Sequence, residues 1–346
     1  MHVKAFQLVE PNHAELRDVD LPEPGPSEIL VQVAAAGVCH SDLHLVSARA
    51  LPYRLPMTLG HEVAGHVAAT GSGVDGWAEG QAALVYLCWG CGRCRNCVGG
   101  AENYCLAHPR DSVPGPGMGH HGGMADYIVV PARQLLPLGE LDPVQAAPLA
   151  DAALTPYHAV AGARDVLVPG STAVVIGVGG LGNLAVQILA ATTSARVIAV
   201  DTNESRLRIA QDRGAADVLL AGPTTALDVI KMTAGLGAGL VIDLVGNEAT
   251  LRTASECVMT GGRISILGLS AGRLPVLAGP PPFAMPWGVS VVRPYGGTRL
   301  DLMEVLSLAR SGVLEVPTEN FGLDAATEVL ARLDAGKVEG RAVLVP

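Results

Sequence analysis

One short stretch of this chain demands a local geometry that few folds can supply. Val174-Val175-Ile176 runs into Gly177-Val178-Gly179-Gly180-Leu181-Gly182, and an apolar helical pattern, Leu181–Ala191, follows directly. Read as strand, turn and helix, each glycine has a task. Gly177 permits the tight turn, Gly179 lets the backbone approach a pyrophosphate, and Gly182 lets helix and strand pack closely. Gly180 and Leu181 then open a helix whose free N–H groups and dipole favour an anion. A second apolar run ends in Val200-Asp201, 19 residues after Gly182. An acid there meets the ribose hydroxyls of a bound dinucleotide. A glycine-rich turn alone is weak; strand, turn, helix, strand and acid in that order are not. Asp201 accepts hydrogen bonds from a 2′-hydroxyl and repels a 2′-phosphate, and Thr202-Asn203 follow with no immediate Lys or Arg. This favours NAD over NADP, with Arg206 the nearest cation on that side.

The flanking sequence fits that geometry. Ala173–Ile176, Arg196–Val200, Ala216–Leu219, Gly239–Leu244 and Arg263–Leu267 read as five strands, with helical patterns such as Glu204–Arg213 between them. The alternation predicts an α/β domain with a doubly wound parallel sheet. Before about residue 150 the text differs. Short runs such as Ile29–Ala35, Val63–Ala69 and Ala82–Leu87 are separated by Gly and Pro, which reads as an all-β unit. Asp111–Gly123 and Ala278–Trp287 read as loops. A helix is expected near Leu300–Arg310 and a last strand near Ala342–Val345.

Bulk properties exclude several classes. With 346 residues, two domains are expected at about 150 residues each. Hydrophobic residues are 49% and charged residues 16%, which excludes a disordered chain. Net charge is −10 with no Lys/Arg cluster, so no nucleic-acid partner is expected. No apolar run reaches the roughly 18 uncharged residues of a membrane span. Met1 opens a strand-like pattern rather than a leader, so a soluble cytoplasmic protein is expected. Thiols stay reduced there, and seven Cys then point to metal or catalysis before disulfides.

Four of them are Cys91, Cys94, Cys97 and Cys105, a C-x2-C-x2-C-x7-C run. Four thiolates within 15 residues suit a closed tetrahedral zinc site. An iron–sulfur cluster uses the same donors, but the spacing is not a usual ferredoxin run. Cys88, nearby, reads as a small buried hydrophobe. A second set is dispersed: Cys39-His40-Ser41-Asp42-Leu43-His44, then Gly60-His61-Glu62, then Asp151. Spacing alone cannot join these three segments.

Together the segments resemble the zinc-containing medium-chain dehydrogenase/reductase family along essentially the whole chain. The resemblance rests on Cys39-x-Ser41-Asp42, Gly60-His61-Glu62, the four-Cys lobe, the Gly-rich turn with Asp201, and Gly340-Arg341. Glu102-Asn103-Tyr104-Cys105 and Leu154-Thr155-Pro156-Tyr157-His158-Ala159 resemble bacterial secondary-alcohol dehydrogenases. The resemblance implies a GroES-like β domain over 1–152 with 297–346 returning to it, and a Rossmann NAD-binding domain over 153–296. It implies two zinc ions per chain, the structural one on the four Cys and a catalytic one on Cys39, His61 and Asp151. Asp151 stands where many members have Cys. Glu62 resembles an acid able to approach that zinc, and Asp42 the carboxylate that orients His61.

The implied reaction interconverts an alcohol, most readily a secondary one, and its ketone or aldehyde by hydride transfer to NAD. Zinc lowers the hydroxyl pKa, and a relay from Ser41 through the nicotinamide ribose to His44 carries the proton away. The resemblance also places Thr155 and Leu181 on the nicotinamide, and Arg341 and His40 at the pyrophosphate. His40 stands where Arg is frequent, which would ease cofactor release. It further implies a homodimer or homotetramer in which cofactor domains pair through the strand near Ser290.

Two departures stand out. Gly80-Gln81 replaces a frequent Gly-Asp, a local matter. Arg293-Pro294-Tyr295 is followed by Gly296-Gly297 where relatives often carry a bulky aromatic, which predicts a roomier pocket that accepts bulky secondary alcohols or aryl ketones. Tyr53, Leu55, His120, His121 and Trp287 are further pocket candidates. A polyol or formaldehyde dehydrogenase shares the zinc chemistry, and a non-catalytic NAD-binding protein is the reading from another class. Cys39, His61 and the four-Cys lobe argue against a zinc-free quinone or enone reductase.

Overall fold

The computed structural model describes residues 2–108, 114–274, 276 and 285–346. They form two compact units, Met1–Asp151 with Thr298–Pro346, and Ala152–Gly297. The expected loops Asp111–Gly123 and Ala278–Trp287 lie partly outside the described residues. Among the described residues no helix is long and apolar enough to cross a membrane.

The second unit is built on a six-stranded parallel sheet. Its strands lie in the order Asp217–Leu220, Arg196–Asp201, Thr172–Ile176, Ala238–Asp243, Val258–Ile266, Ser290–Val292. Numbered along the chain this is 3-2-1-4-5-6, the doubly wound Rossmann order. Thr172–Ile176 and Ala238–Asp243 are buried throughout, as expected for strands covered by helices on both faces. Their apolar side chains meet those of neighbouring strands and helices in one core that includes Val174, Ile198, Val241, Ala254 and Ile264. The strand order reverses between Thr172–Ile176 and Ala238–Asp243, and open α/β sheets bind ligands outside the strand ends at that crevice. Gly177 sits there. The fifth strand begins at Val258, earlier than the apolar run at Arg263 announces, because Gly261 and Gly262 interrupt its side-chain pattern.

The first unit is a β structure assembled from both ends of the chain. One sheet runs Leu135–Pro137, Ala82–Val85, Glu62–Thr70, Glu28–Gly37, Arg341–Val345, Thr318–Gly322, with Tyr127–Pro131 also paired to Glu28–Gly37. A smaller sheet joins His2–Glu10 to His13–Asp20 and to Met57–Thr58. Ile29, Val31 and Val33 alternate inward to meet Val63, Val67, Val85, Ile128 and Val130, the period-2 burial that the sequence displays. The returning strand Arg341–Val345 pairs Val343 with Gly37 and Leu344 with Ala36. Residues more than 300 apart in sequence are thereby neighbours on one sheet.

The close packing around the glycine turn is testable. A Cβ on Gly182 would lie 2.0 Å from the Gly177 carbonyl oxygen, a backbone atom that cannot swing aside. Gly182→Ala is expected to destabilise the Ala152–Gly297 unit by about 1–3 kcal/mol; unchanged urea unfolding would contradict the close-packing role.

Candidate active site

The sheet register builds the first cluster. Gly37 stands opposite Glu62 where Glu28–Gly37 pairs with Glu62–Thr70. Cys39 lies two residues past the one strand end, and His61 lies one residue before the other. Gly37 must be glycine, since a Cβ there would lie 1.9 Å from Glu62 Oε2. Cys39 caps the helix His40–Ser47, and Asp42 in its first turn accepts from the Cys39 N–H at 2.9 Å. That bond aims the other Asp42 oxygen at His61 Nδ1, 3.4 Å away. A carboxylate oxygen there favours the tautomer with the proton on Nδ1, and Nε2 faces the cluster. Asp151, at the end of the 3-10 turn Ala147–Ala150, supplies the third arm. Its Oδ2 is 3.6 Å from both Cys39 Sγ and His61 Nε2.

The donor atoms of Cys39, His61, Glu62 and Asp151 all lie within 4.8 Å of one another. His61 and Glu62 are at most 1% exposed. Three acidic groups and a buried Asp42 thus converge on one spot. Arg341 answers part of that charge: Nε donates to Glu62 Oε2 at 2.9 Å, Nη2 donates to Oε1, and Nη2 lies 3.8 Å from Asp151 Oδ2. Burial raises the Glu62 carboxyl to about 7 despite the Arg341 charge. Burial opposes a charge on His61, yet Asp42 above all, then Asp151 and Cys39, carry its pKa upward. The site wants a further cation. One thiol, one imidazole and one carboxylate are a sound donor set for zinc with an open position.

The other expected residues fall as follows. Ser41 Oγ is 3.7 Å from Cys39 Sγ and is half-buried. His44 and His40 are exposed on the same helix. Tyr53 is half-buried, with its ring against Gly119. Arg341, which the resemblance sends to the pyrophosphate, is here engaged by Glu62 and Asp151. This pairing had no sequence signal, because 279 residues separate the partners.

The four-Cys lobe closes on itself. Sγ separations are 3.4 Å for Cys94–Cys97, 3.9 Å for Cys94–Cys105 and 4.0 Å for Cys91–Cys97. A tetrahedral zinc with Zn–S near 2.3 Å needs sulfurs about 3.8 Å apart. Backbone N–H groups point at the sulfurs, among them Cys91 to Cys105 at 3.3 Å, Cys94 to Cys91 at 3.4 Å and Leu106 to Cys94 at 3.4 Å. The N–H groups of Cys97 and Leu106 pull the Cys94 thiol down to about 6, and those of Arg93 and Cys94 lower Cys91. Burial pushes Cys97 up to about 12. These contacts fit a structural zinc.

In the other unit, Gly177 has φ +87, and a Cβ on it would meet Val245 Cγ2 at 2.7 Å. Gly179 caps the helix Gly180–Thr192 and faces open space, with nothing within 4 Å of a Cβ position. That is the cradle a pyrophosphate needs. Leu181 is half-buried in the first turn of that helix. Asp201 Oδ2 accepts from Val178 N at 2.8 Å and Oδ1 from Asn203 N at 2.9 Å, which fixes the carboxylate beside the turn. Thr155 is buried in the helix Leu154–Ala161. Gly296 is buried with φ +51.

Sequence reasoning missed Asp243. It is fully buried, and its Oδ1 accepts from Val245 N and Gly246 N, both at 2.9 Å. It thereby shapes the loop that packs on Gly177.

A GroES-like β unit with two metal-competent clusters, joined in one chain to a Rossmann unit, defines a zinc-type dehydrogenase. The chain matches the family described as alcohol dehydrogenase GroES-like domain over residues 25–140, and that described as zinc-binding dehydrogenase over residues 180–311. It is 36% identical to an NAD-dependent alcohol dehydrogenase of Sulfurisphaera tokodaii, over 99% of this chain and 100% of that one. The alcohol dehydrogenase of Aeropyrum pernix has a similar structure, with TM-score 0.91 and 35% identity over 99% of this chain and 100% of that one. Acetophenone reductase from Geotrichum candidum, solved in complex with NAD, gives TM-score 0.88 and 32% identity over 100% and 97%. This chain belongs to the zinc-type medium-chain alcohol dehydrogenases.

Two outcomes test the geometry. Asp42→Asn is expected to weaken metal binding at the Cys39 cluster about 10–100-fold while leaving the four-Cys site intact; competition with a chromophoric chelator reads both. For Asp243, burial raises the carboxyl pKa against the pull of the Gly246 and Val245 N–H groups. A raised folded pKa means stability is fullest below the unfolded value and is lost as pH rises through the folded one. The melting temperature of wild type relative to Asp243→Asn should therefore fall as pH rises from below about 3.9, and a pH-independent difference would refute it.

Proposed function

We propose that the protein interconverts secondary alcohols and ketones by hydride exchange with NAD, at a zinc held by Cys39, His61 and Asp151. The observation that carries this reading is the convergence of those three donors in one buried cluster, with Ser41 Oγ beside the Cys39 sulfur. Zinc, when bound, supplies Lewis acidity that lowers the pKa of an alcohol hydroxyl. Asp42 holds His61 in the tautomer that presents Nε2. Ser41 Oγ stands as first acceptor of the hydroxyl proton, and His44, three residues on along the helix, delivers it to solvent. Arg341 balances Glu62, so that a carboxylate can be kept in the buried site. Asp201 favours NAD, since a carboxylate repels the extra phosphate of NADP. Gly177, Gly179, Gly180, Leu181 and Gly182 seat the pyrophosphate, Thr155 packs on the nicotinamide, and His40 gives a weaker phosphate contact than arginine.

The substrate class follows from Gly296 and from the acetophenone reductase among the relatives. An aromatic at Gly296 would have to hold a left-handed φ, which bulky residues rarely adopt. Glycine there leaves room for aryl ketones and bulky secondary alcohols. The enzyme is read as a homodimer or homotetramer. Ser290–Val292 is an edge strand whose Val291 and Val292 side chains are 41% and 38% exposed, and pairing with a second copy would cover them. Gathering Cys39 and the four lobe cysteines into metal-competent clusters fits a reducing, cytoplasmic setting.

The test is zinc per chain together with NADH formation on primary and secondary alcohols, before and after chelation. Two zinc ions, activity lost as one is stripped, and faster turnover of 1-phenylethanol than of ethanol are expected. One zinc with no alcohol turnover would overturn the assignment of Cys39, His61 and Asp151.

A further inference from the structure

The four-Cys lobe has little core of its own. Its helical pieces are Arg95–Val98 and Glu102–Tyr104, and Val98 and Leu106 are 74% and 61% exposed. An element with so few buried apolar contacts opens locally at low cost unless something ties it down. Zinc joins the four sulfurs to one another, but it does not join the lobe to the sheet.

A single side chain from outside the lobe reaches both of its roots. Arg133 Nη2 donates to the carbonyl of Gly90, the residue before Cys91. Arg133 Nη1 lies 3.7 Å from Glu102 Oε1, and Glu102 opens the 3-10 turn that Cys105 caps. The guanidinium lies so close over Gly92 that a Cβ there would be 2.9 Å from Nη1. Arg133 is itself fixed from below. It sits in the 3-10 turn Ala132–Gln134, between the strands Tyr127–Pro131 and Leu135–Pro137. Ala132 N donates to Ser27 O at 2.9 Å, and Tyr86 N donates to Gln134 O at 2.8 Å. Glu102 is mostly buried, and its Oε2 has no hydrogen-bond partner. Without the guanidinium that carboxylate would be left as an uncompensated charge. A planar fork can reach a carbonyl and a carboxylate together, which a lysine point charge cannot.

We infer that Arg133 is the clasp that holds the four-Cys lobe shut on its zinc, and so sets how slowly that zinc is lost. Arg133 touches no sulfur. It is a positioning residue that resists the parting of the Gly90 and Glu102 roots, the motion that would expose Cys91 and Cys105 to a competing ligand. The inference does not depend on the substrate or on the Cys39 cluster.

The experiment is zinc release from the holoenzyme to a chromophoric chelator, with mass-spectrometric mapping of the cysteines that become alkylated. Arg133→Gln should release the four-Cys zinc at least ten-fold faster, with alkylation at Cys91, Cys94, Cys97 and Cys105, while the slower or faster phase from the Cys39 cluster keeps its wild-type rate. Arg133→Lys should fall between the two. Glu102→Gln, which removes one root contact and spares the other, should give a smaller acceleration. Should Arg133→Gln fold poorly, the Glu102→Gln and Arg133→Lys proteins still decide the matter. Wild-type release in these variants would overturn the inference, as would a lysine protein indistinguishable from wild type.

Discussion

The pairing of Arg341 with Glu62 is the constraint around which the metal-competent unit is arranged. A carboxylate without a partner in that interior would cost several kcal/mol. Arg341 can reach it because Arg341–Val345 lies beside Glu28–Gly37, which in turn pairs with Glu62–Thr70. The same three strands bring Cys39 and His61 together, so sheet register and charge balance are one requirement. Arg341 leaves the balance incomplete. The carboxyls of Asp42, Glu62 and Asp151 outnumber one guanidinium, a deficit that pulls the His61 pKa upward against its burial. A divalent cation removes it, which is why the donor set reads as a binding site and not as a structural ion-pair network.

Parts of this arrangement were legible in the sequence and parts were not, for a physical reason. The glycine turn and the four-Cys lobe are local: their geometry is encoded in spacing over a dozen or so residues, and the turn, the helix after it and the sulfur cluster stand where spacing puts them. The doubly wound sheet was legible from alternation, because strands buried on both faces read as apolar runs. The dispersed cluster was not. Cys39 and Asp151 are 112 residues apart, and they meet only because the turn Ala147–Ala150 packs on the strands Glu28–Gly37 and Glu62–Thr70. Family resemblance supplied the grouping that spacing could not. Arg341 was visible as a residue, but its bonds to Glu62 and Asp151 are products of register. Asp243 gave no signal, since an acid at the end of an apolar strand is common, and only full burial reveals its task.

The two zinc-competent clusters differ in how they are preorganised. In the lobe, backbone N–H groups aim at the sulfurs and lower the thiol pKa values of Cys91 and Cys94, so the ligand charge is balanced by dipoles close in sequence. In the Cys39 cluster the balance comes from charged side chains far away in the chain. The first suits a site that only needs to be closed. The second gathers Cys39, His61, Asp151 and an additional carboxylate, Glu62, a donor set larger than the three protein ligands that would hold a zinc with an open position.

The order of the chain has a consequence for synthesis. Residues 152–297 form a unit from one continuous stretch, whereas the metal-competent unit needs 298–346 to complete its sheet. During translation Cys39, His61, Glu62 and Asp151 emerge long before Arg341. Until the last strand is added, Glu62 has no Arg341 beside it, so closing the sheet over it would either strand a charge or force the carboxyl to take up a proton.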